Sequence, residues 1–285
     1  MTPGRIISKA GGELPGGYWQ SFRWMPHPEL ALHIRGYNGY FENSSQRVRR
    51  RELPAGEVAL IISLGPQWRS IDPVTGASIG MLRTFVAGLD DTYSLVDSDT
   101  PGAAIQVDFT PIGAGQLLQL PMHLVSKRTT ELNDLLGSEA DRLVERLVEA
   151  RDWPGRFLTL DNFLLSRIRR YERPTREIDW AWRQLDLSRG SIRVQKISDQ
   201  LGWTRKRLVK AFRDEVGIPP KALARVLRFR RALAQFTSQK DFSQLAAECG
   251  YSDQAHMIRD FKDLSGLTPA DLVRVYSPEA GTIER

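Results

Sequence analysis

The sequence predicts an α+β protein, in which a β-rich N-terminal domain with flanking helices precedes an all-helical C-terminal domain. Three observations support this. The 285 residues exceed the roughly 150 residues that one domain usually holds. Gly and Pro separate short β-type runs over residues 1–115, which is typical of strands and turns. Beyond residue 115 the apolar residues recur with the helical period of about 3.6.

The composition excludes several classes of protein. Hydrophobic residues make up 41% of the chain and charged residues 26%, which is enough apolar surface for a packed core. The single cysteine, Cys249, excludes an intrachain disulfide framework and a zinc site built from several cysteines. No apolar run approaches the ~20 residues of a membrane span, and the N-terminus lacks the apolar core of a secretory signal. We therefore expect a cytoplasmic protein with no membrane partner.

The N-terminal domain, residues 1–172, alternates short β-type runs with turns and then becomes helical. Regular short strands favour a sandwich or barrel. We expect strands at Glu57–Leu64 and Ala104–Phe109, an exposed hairpin or loop at Asp72–Gly80, and helices at Asp134–Ala150 and Arg156–Tyr171. The first of these helices places four apolar residues on one stripe, namely Leu143, Val144, Leu147 and Val148.

The C-terminal domain, residues 176–276, is predicted to be a compact unit of short helices. A helix break at Pro174 sets the domain boundary at 172–176, because proline disfavours helix in the residue before it. The predicted helices are Arg176–Leu187, Val194–Leu201, Arg205–Val216, Lys221–Thr237, Phe242–Cys249, Asp253–Ser265 and Pro269–Val275.

The positive charge is concentrated in this second domain. Residues 1–185 carry 22 basic and 22 acidic side chains, whereas residues 186–276 carry 17 basic and 10 acidic ones. A local basic excess indicates a polyanionic partner, most often nucleic acid.

An internal repeat is the strongest signal in the chain. The segment Ile197–Pro220 resembles the segment Leu245–Pro269, with one extra residue in the second copy. The matched pairs are Gly202 with Gly250, Trp203 with Tyr251, Thr204 with Ser252, Phe212 with Phe261, Arg213 with Lys262, Asp214 with Asp263, Gly217 with Gly266 and Pro220 with Pro269.

Each copy has the pattern of a helix-turn-helix motif. The first glycine ends a short helix, and Thr204 or Ser252 is expected to cap the second helix, which ends at the next glycine. In such motifs the second helix enters the major groove of DNA. An αα-hairpin that serves only for packing is the alternative, but a repeated hairpin in a basic segment favours DNA binding.

Helical spacing separates the buried from the exposed side of each second helix. Leu208 and Phe212 should point inward in the first copy, as should Met257 and Phe261 in the second. The helix between the copies carries apolar residues at Leu223, Val226, Phe229, Leu233 and Phe236. We expect it to hold the two motifs at a fixed separation, so that both second helices enter consecutive major-groove segments. Its arginines should be solvated or face phosphates; they are Arg225, Arg228, Arg230 and Arg231.

The order of motif, linker helix, motif and final Gly-x-Thr-Pro resembles the AraC/XylS family of bacterial transcription regulators. The resemblance covers Thr175 to Val275. It implies base reading by Lys206, Val209 and Lys210 in the first motif and by Gln254, Ala255 and Arg259 in the second. The full set of expected DNA-binding residues is Thr204, Arg205, Lys206, Arg207, Val209, Lys210, Ser252, Asp253, Gln254, Ala255, Arg259 and Lys262.

The N-terminal domain resembles the companion domain of some family members in the stretch Gln106–Pro111, followed by Gly113 and Ala114. This resemblance implies a cupin-like body for effector sensing or dimerisation. A group of aromatic residues fits either the core, which we favour, or a ligand pocket; its members are Trp19, Trp24, Tyr37, Tyr40, Phe41 and Trp68.

We expect no enzyme activity, cofactor or metal. His27 and His33 lack the spacing of a metal site, no phosphate loop or catalytic triad is recognisable, and Cys249 fits a buried core position. The expected partners are double-stranded DNA, a small-molecule effector and RNA polymerase, with the chain as a monomer or homodimer. Two alternatives stay open: an N-terminal enzyme or metal-dependent sensor tethered to DNA, and a DNA-architectural protein of low specificity.

Overall fold

The computed structural model describes residues 6–14, 16–65, 67–98, 101–168, 175–235, 241–277 and 281–284. It confirms the predicted order of a β-rich domain followed by a helical one. The predicted boundary at 172–176 lies largely outside the described residues, and so do the predicted helix end at Tyr171 and the predicted anchor Phe236. The helix predicted to reach Thr237 is too long, because it ends at Leu233 with Ala234 as its C-cap.

Two antiparallel sheets form the body of the described N-terminal domain. In chain order the strands are β1 (Ile6–Leu14), β2 (Gly17–Trp24), β3 (Ile34–Ser44), β4 (Val48–Glu52), β5 (Val58–Ser63), β6 (Trp68–Ile71), β7 (Ser78–Leu82), β8 (Thr84–Ala87), β9 (Ser94–Ser98), β10 (Gly102–Phe109), β11 (Thr129–Glu131), β12 (Tyr276–Ser277) and β13 (Gly281–Glu284). One sheet has the order β1-β2-β3-β10-β5-β8-β11, and the other has the order β12-β13-β4-β9-β6-β7.

The strands predicted around Val58 and Ile105 are β5 and β10, neighbours in the larger sheet. The hairpin at Asp72–Gly80 is confirmed between β6 and β7. The Asp72 carboxylate accepts hydrogen bonds from the backbone N–H groups of Val74 and Thr75, both at 2.8 Å, which closes the turn. Strands β12 and β13 were not predicted. They come from the C-terminal end of the described chain and extend the smaller sheet.

Helices cover the N-terminal domain beside the larger sheet. They are α1 (Pro111–Leu118), α2 (Leu132–Leu136), α3 (Ser138–Glu149) and α4 (Trp153–Ile168). The continuous helix predicted over 134–150 is wrong, because the chain breaks at Gly137, whose φ is 56°. The predicted apolar stripe is also partly wrong: Leu143 and Leu147 are buried, but Val148 is exposed.

Aromatic residues fasten α4 to the sheet. The Phe157 ring stacks on Trp24 and Tyr37, with ring centroids 5.3 and 5.9 Å apart. The Tyr37 hydroxyl donates a hydrogen bond of 3.0 Å to the nearly buried Asp161 carboxylate. Trp19, Trp24 and Tyr37 are therefore core residues, as favoured from the sequence.

The C-terminal domain consists of helices whose bounds follow the sequence pattern closely. They are α5 (Arg176–Leu187), α6 (Val194–Leu201), α7 (Arg205–Val216), α8 (Pro220–Leu233), α9 (Phe242–Glu248), α10 (Gln254–Ser265) and α11 (Pro269–Val275). None of the described helices is long and apolar enough to span a membrane.

The hydrophobic core does not divide at the domain boundary. One cluster of buried side chains runs from the larger sheet through α1, α3 and α4 into α5, α6 and α7, and it includes Phe212. A second cluster joins the rest of α8 to α9, α10 and α11, and it includes Phe261. The first repeat copy therefore shares its core with the N-terminal domain.

This division predicts different unfolding behaviour for two equivalent substitutions. Phe212→Ala and Phe261→Ala each remove a fully buried ring, which typically costs 3–5 kcal/mol. None of the seven tryptophans belongs to the Phe261 cluster. We expect Phe212→Ala to lower the thermal midpoints seen by tryptophan fluorescence and circular dichroism together. Phe261→Ala should lower the circular dichroism midpoint first, and coincident transitions in that variant would contradict two separate clusters.

Candidate nucleic-acid interface

The first repeat copy is a helix-turn-helix motif. Helix α6 ends at Gly202, as predicted from the sequence, and this glycine adopts the left-handed conformation with φ of 64°. Thr204 then caps α7, because its hydroxyl accepts a hydrogen bond from the backbone N–H of Arg207. Leu208 and Phe212 point inward and are fully buried, as predicted.

The second copy is built alike, with one correction at its turn. Asp253, not Ser252, caps α10: its carboxylate accepts a hydrogen bond of 2.7 Å from the backbone N–H of His256. The extra residue of this copy therefore lies in the turn after Gly250, and Ser252 precedes the cap. Counted from the caps, α7 and α10 have equal lengths, so Lys210 corresponds to Arg259.

The first turns of α7 present a basic surface. Arg205, Lys206, Arg207 and Lys210 are exposed, and Val209 is half-buried between them. The Arg207 guanidinium lies over the Trp203 ring, 4.0 Å from its centroid. This cation–π contact directs Arg207 along the turn and leaves the lysines to project from the helix.

The corresponding surface of α10 is more mixed in charge. Gln254, Ala255, Arg259 and Lys262 are exposed, as are Ser252 and Asp253 at the turn. The pKa of Asp253 lies below its ordinary value, because its carboxylate accepts the His256 backbone hydrogen bond and a second one from the Ser252 hydroxyl. Asp253 is therefore ionised at neutral pH, at the helix end that favours a negative charge.

Helix α8 connects the two motifs, and its arginines have a different role from the expected one. Arg225 donates to the carboxylates of Asp260, at 2.9 Å, and Asp263, at 2.8 Å, both on α10. Arg228 donates to the Gly190 carbonyl at 3.1 Å, in the turn between α5 and α6. These two side chains therefore brace α8 against α10 and against the turn that precedes α6, and the expectation that they are solvated or face phosphates is wrong.

The sequence could not show this bracing, because the partners lie 35 to 38 residues away from the arginines. Helical spacing identifies which side of α8 is apolar, and that prediction is confirmed for Leu223, Val226, Phe229 and Leu233. It carries no information about which carboxylate an arginine on another side will meet.

The remaining candidates for chemistry lie apart from this surface. Cys249 is a fully buried thiol in the core of the second motif. Among the described residues, no group of three or more His, Cys, Asp or Glu side chains is placed to hold a metal ion.

Comparison with protein families assigns both halves of the chain. Residues 197–274 match the family described as Helix-turn-helix domain (HTH_18), a range that spans both motifs and α8. Residues 22–131 match a domain of unknown function (DUF6597), which covers most of the two sheets. Among curated proteins, none matches the sequence significantly.

Several solved structures are similar to the chain. ToxT from Vibrio cholerae O395 shares 15% identity over 84% of this chain and 96% of its own, with a TM-score of 0.44. ToxT from Vibrio cholerae strain SCE256, bound to an unsaturated fatty acid, shares 13% identity over 87% and 96%, with a TM-score of 0.46. The C-terminal domain of AraT, a response regulator from Geobacillus stearothermophilus, shares 19% over 36% and 88%, with a TM-score of 0.33. These scores are too low for the details of those proteins to be transferred.

The chain thus joins a β-rich domain to a helix-turn-helix domain that contains two motifs. The match over residues 197–274 assigns this region to a helix-turn-helix family, in agreement with the resemblance to AraC/XylS regulators drawn from the repeat.

The bracing of α10 predicts unequal effects for two aspartates that bind the same arginine. The Asp260 side chain is 6% exposed and that of Asp263 is 64% exposed. Asp260→Ala leaves Arg225 and Arg228 beside an emptied, nearly buried site, and we expect a loss of about 3 kcal/mol in the free energy of unfolding.

Asp263→Ala is the matched control, and we expect it to cost less than about 1 kcal/mol because water screens that pair. Urea denaturation of both variants measures the difference. Equal losses would mean that the buried pair does not hold α10 in place.

Proposed function

We propose that this protein is a sequence-specific transcription regulator that inserts α7 and α10 into consecutive major-groove segments on one face of DNA. The observation that carries the proposal is the pair of capped helices, each fixed by buried apolar residues and each exposing its first turns. To enter consecutive groove segments, the exposed turns of the two helices must lie about 34 Å apart, and α8 is the helix that sets their separation.

The side chains proposed to read bases are Lys206, Val209 and Lys210 on α7 and Gln254, Ala255 and Arg259 on α10. Arginine and lysine suit the acceptor atoms of guanine, and glutamine suits adenine. Val209 and Ala255 present methyl groups that fit a thymine methyl.

Phosphate contacts supply most of the affinity in such a complex. We assign them to Arg205, Arg207, Lys262 and the turns before the helix starts at Thr204 and Ser252. The backbone N–H groups of a helix start attract phosphate, and the arginines and lysine neutralise it.

The N-terminal domain is proposed to regulate binding, either by sensing a small molecule or by forming a homodimer. A small cavity between its sheets is lined in part by Tyr40, Glu42, Trp68 and Ser98, and it has room for about one water molecule. An effector at that place would have to open the cavity. RNA polymerase is proposed as a further partner of the DNA-bound protein.

Selection of bound duplexes from a random DNA pool tests the function. We expect enrichment of a sequence with two contacted segments about one helical turn apart. Enrichment of no sequence, with tight binding to random DNA, would instead favour an architectural protein.

Arg259→Ala is expected to weaken binding to the selected duplex by about 1–3 kcal/mol and to relax the preference at one position, because a bidentate base contact is lost. Arg142→Ala is the matched control, since Arg142 is an exposed arginine on α3 of the N-terminal domain. A titration that shows equal affinity for Arg259→Ala and the wild type would remove Arg259 from the base-reading set.

Salt dependence separates phosphate contacts from base contacts. Arg205→Ala and Arg213→Ala each remove an exposed charge at α7. If either side chain neutralises a phosphate, the slope of log affinity against log salt should fall by about 0.9. Binding measured at several salt concentrations decides this, and an unaltered slope excludes that residue.

A further inference from the structure

We propose that the N-terminal domain clamps the second helix-turn-helix motif through β4 and β13, and that Arg51 is the positioning residue of this clamp. The proposal rests on the DNA-binding function proposed above. It adds a residue outside the DNA-binding domain that determines how well the two recognition helices fit one duplex together.

Arg51 caps the far end of the second recognition helix. Its Nη1 atom donates a hydrogen bond of 2.7 Å to the backbone carbonyl of Ser265, the last residue of α10. The guanidinium also lies over the ring of Tyr93, 4.1 Å from the centroid, which fixes its direction. The last carbonyls of a helix lack intrahelical partners and carry the negative end of its dipole. A cation held in place beside them therefore stabilises the helix end.

The backbone of α10 approaches the N-terminal domain too closely for a side chain. Gly266, the residue after α10, has φ of 72°, and a Cβ atom built on it would lie 2.5 Å from the Tyr93 ring and 2.6 Å from Arg51. The contact between the domains therefore forms directly at the end of the recognition helix.

The chain that leaves the second motif returns to the same strand. Helix α11 continues directly into β12, and β13 then pairs with β4, with Thr282 opposite Arg51 and Ile283 opposite Arg50. Thr282 is buried, and Ile283 packs against a cluster of Leu14, Trp19 and Val48 in the N-terminal domain. Strand addition of this kind supplies backbone hydrogen bonds and side-chain packing together. Strand β4 thus holds the second motif at two places.

The first motif is anchored to the same domain in the corresponding way. The end of α7 faces a short turn of the N-terminal domain, where Asp214 and His123 approach to 3.4 Å. A Cβ atom on Gly217 would meet the Ser126 hydroxyl at 2.2 Å. Both recognition helices are thus held at their C-terminal ends, while their N-terminal turns stay exposed. Contacts that leave the DNA-facing turns open position the motifs and do not block them.

The test uses the best duplex from the selection and the same duplex with about five base pairs, half a helical turn, inserted between its two contacted segments. The wild type should discriminate strongly between them, because its helices are held at one separation. In Arg51→Ala we expect about tenfold weaker binding to the selected duplex and a smaller penalty for the insertion, since rigid linkage of two sites raises affinity. Arg51→Lys, which keeps a donor for the Ser265 carbonyl, should recover part of both effects.

A second variant and a second readout distinguish a loss of stability from a loss of positioning. Ile283→Asp places a charge in the apolar cluster and should reproduce the Arg51→Ala result by detaching β13. Arg47→Ala, an N-terminal arginine that pairs with Asp97, should behave as the wild type. Hydrogen exchange without DNA should be faster at the end of α10 and in β13 for both clamp variants, while the thermal midpoint of the larger sheet stays unchanged.

Unchanged affinity and an unchanged insertion penalty in both clamp variants would overturn the proposal. So would tighter binding, because the contacts would then inhibit. If the wild type selects no sequence, the proposed function fails instead, and hydrogen exchange alone decides whether the clamp exists.

Discussion

One nearly buried carboxylate determines where the second recognition helix lies. Asp260 accepts a hydrogen bond from Arg225 and faces Arg228, so α10 is joined to the helix that also reaches the first motif. Beside this ion pair the rings of Phe229 and Phe261 meet edge to face, with centroids 4.8 Å apart. An ion pair in an apolar setting tolerates little displacement, since any shift leaves a charge desolvated. The separation of the two DNA-facing surfaces depends on this junction.

The two recognition helices are built alike, but the side chains that they expose differ. Their caps, lengths and buried anchors correspond, because each must satisfy the same helix start and pack the same inward face. Their exposed turns differ: α7 offers mainly lysine and arginine, whereas α10 offers glutamine, alanine and one arginine in its first two turns. The first surface is suited to strong attraction of phosphate and guanine, and the second to finer discrimination among bases.

The two motifs are joined to the N-terminal domain in different ways. Side chains of the sheets, of α4 and of α7 belong to one continuous cluster, so the first motif has no core of its own. The second motif has a separate core, against which Leu53 of the N-terminal domain packs, and it also reaches that domain through Arg51 and β13. A closely packed interior has low compressibility and transmits strain. The position of the second motif, which has its own core, therefore depends on the Asp260 ion pair, on Arg51 and on β13.

Local sequence patterns were sufficient for most helices and turns of the C-terminal domain, although they placed the cap of α10 at Ser252 and not at Asp253. Gly202, Thr204 and the periodic anchors of α8 act within a few residues of their own positions, so spacing alone identified them. Tertiary structure decided what depends on distant partners: the pairing of Arg225 with Asp260, the addition of β13 to β4, and the exposure of Val148. The physical reason is that a cap or a period is satisfied inside one helix. An ion pair or a sheet neighbour is chosen only when the whole chain has packed.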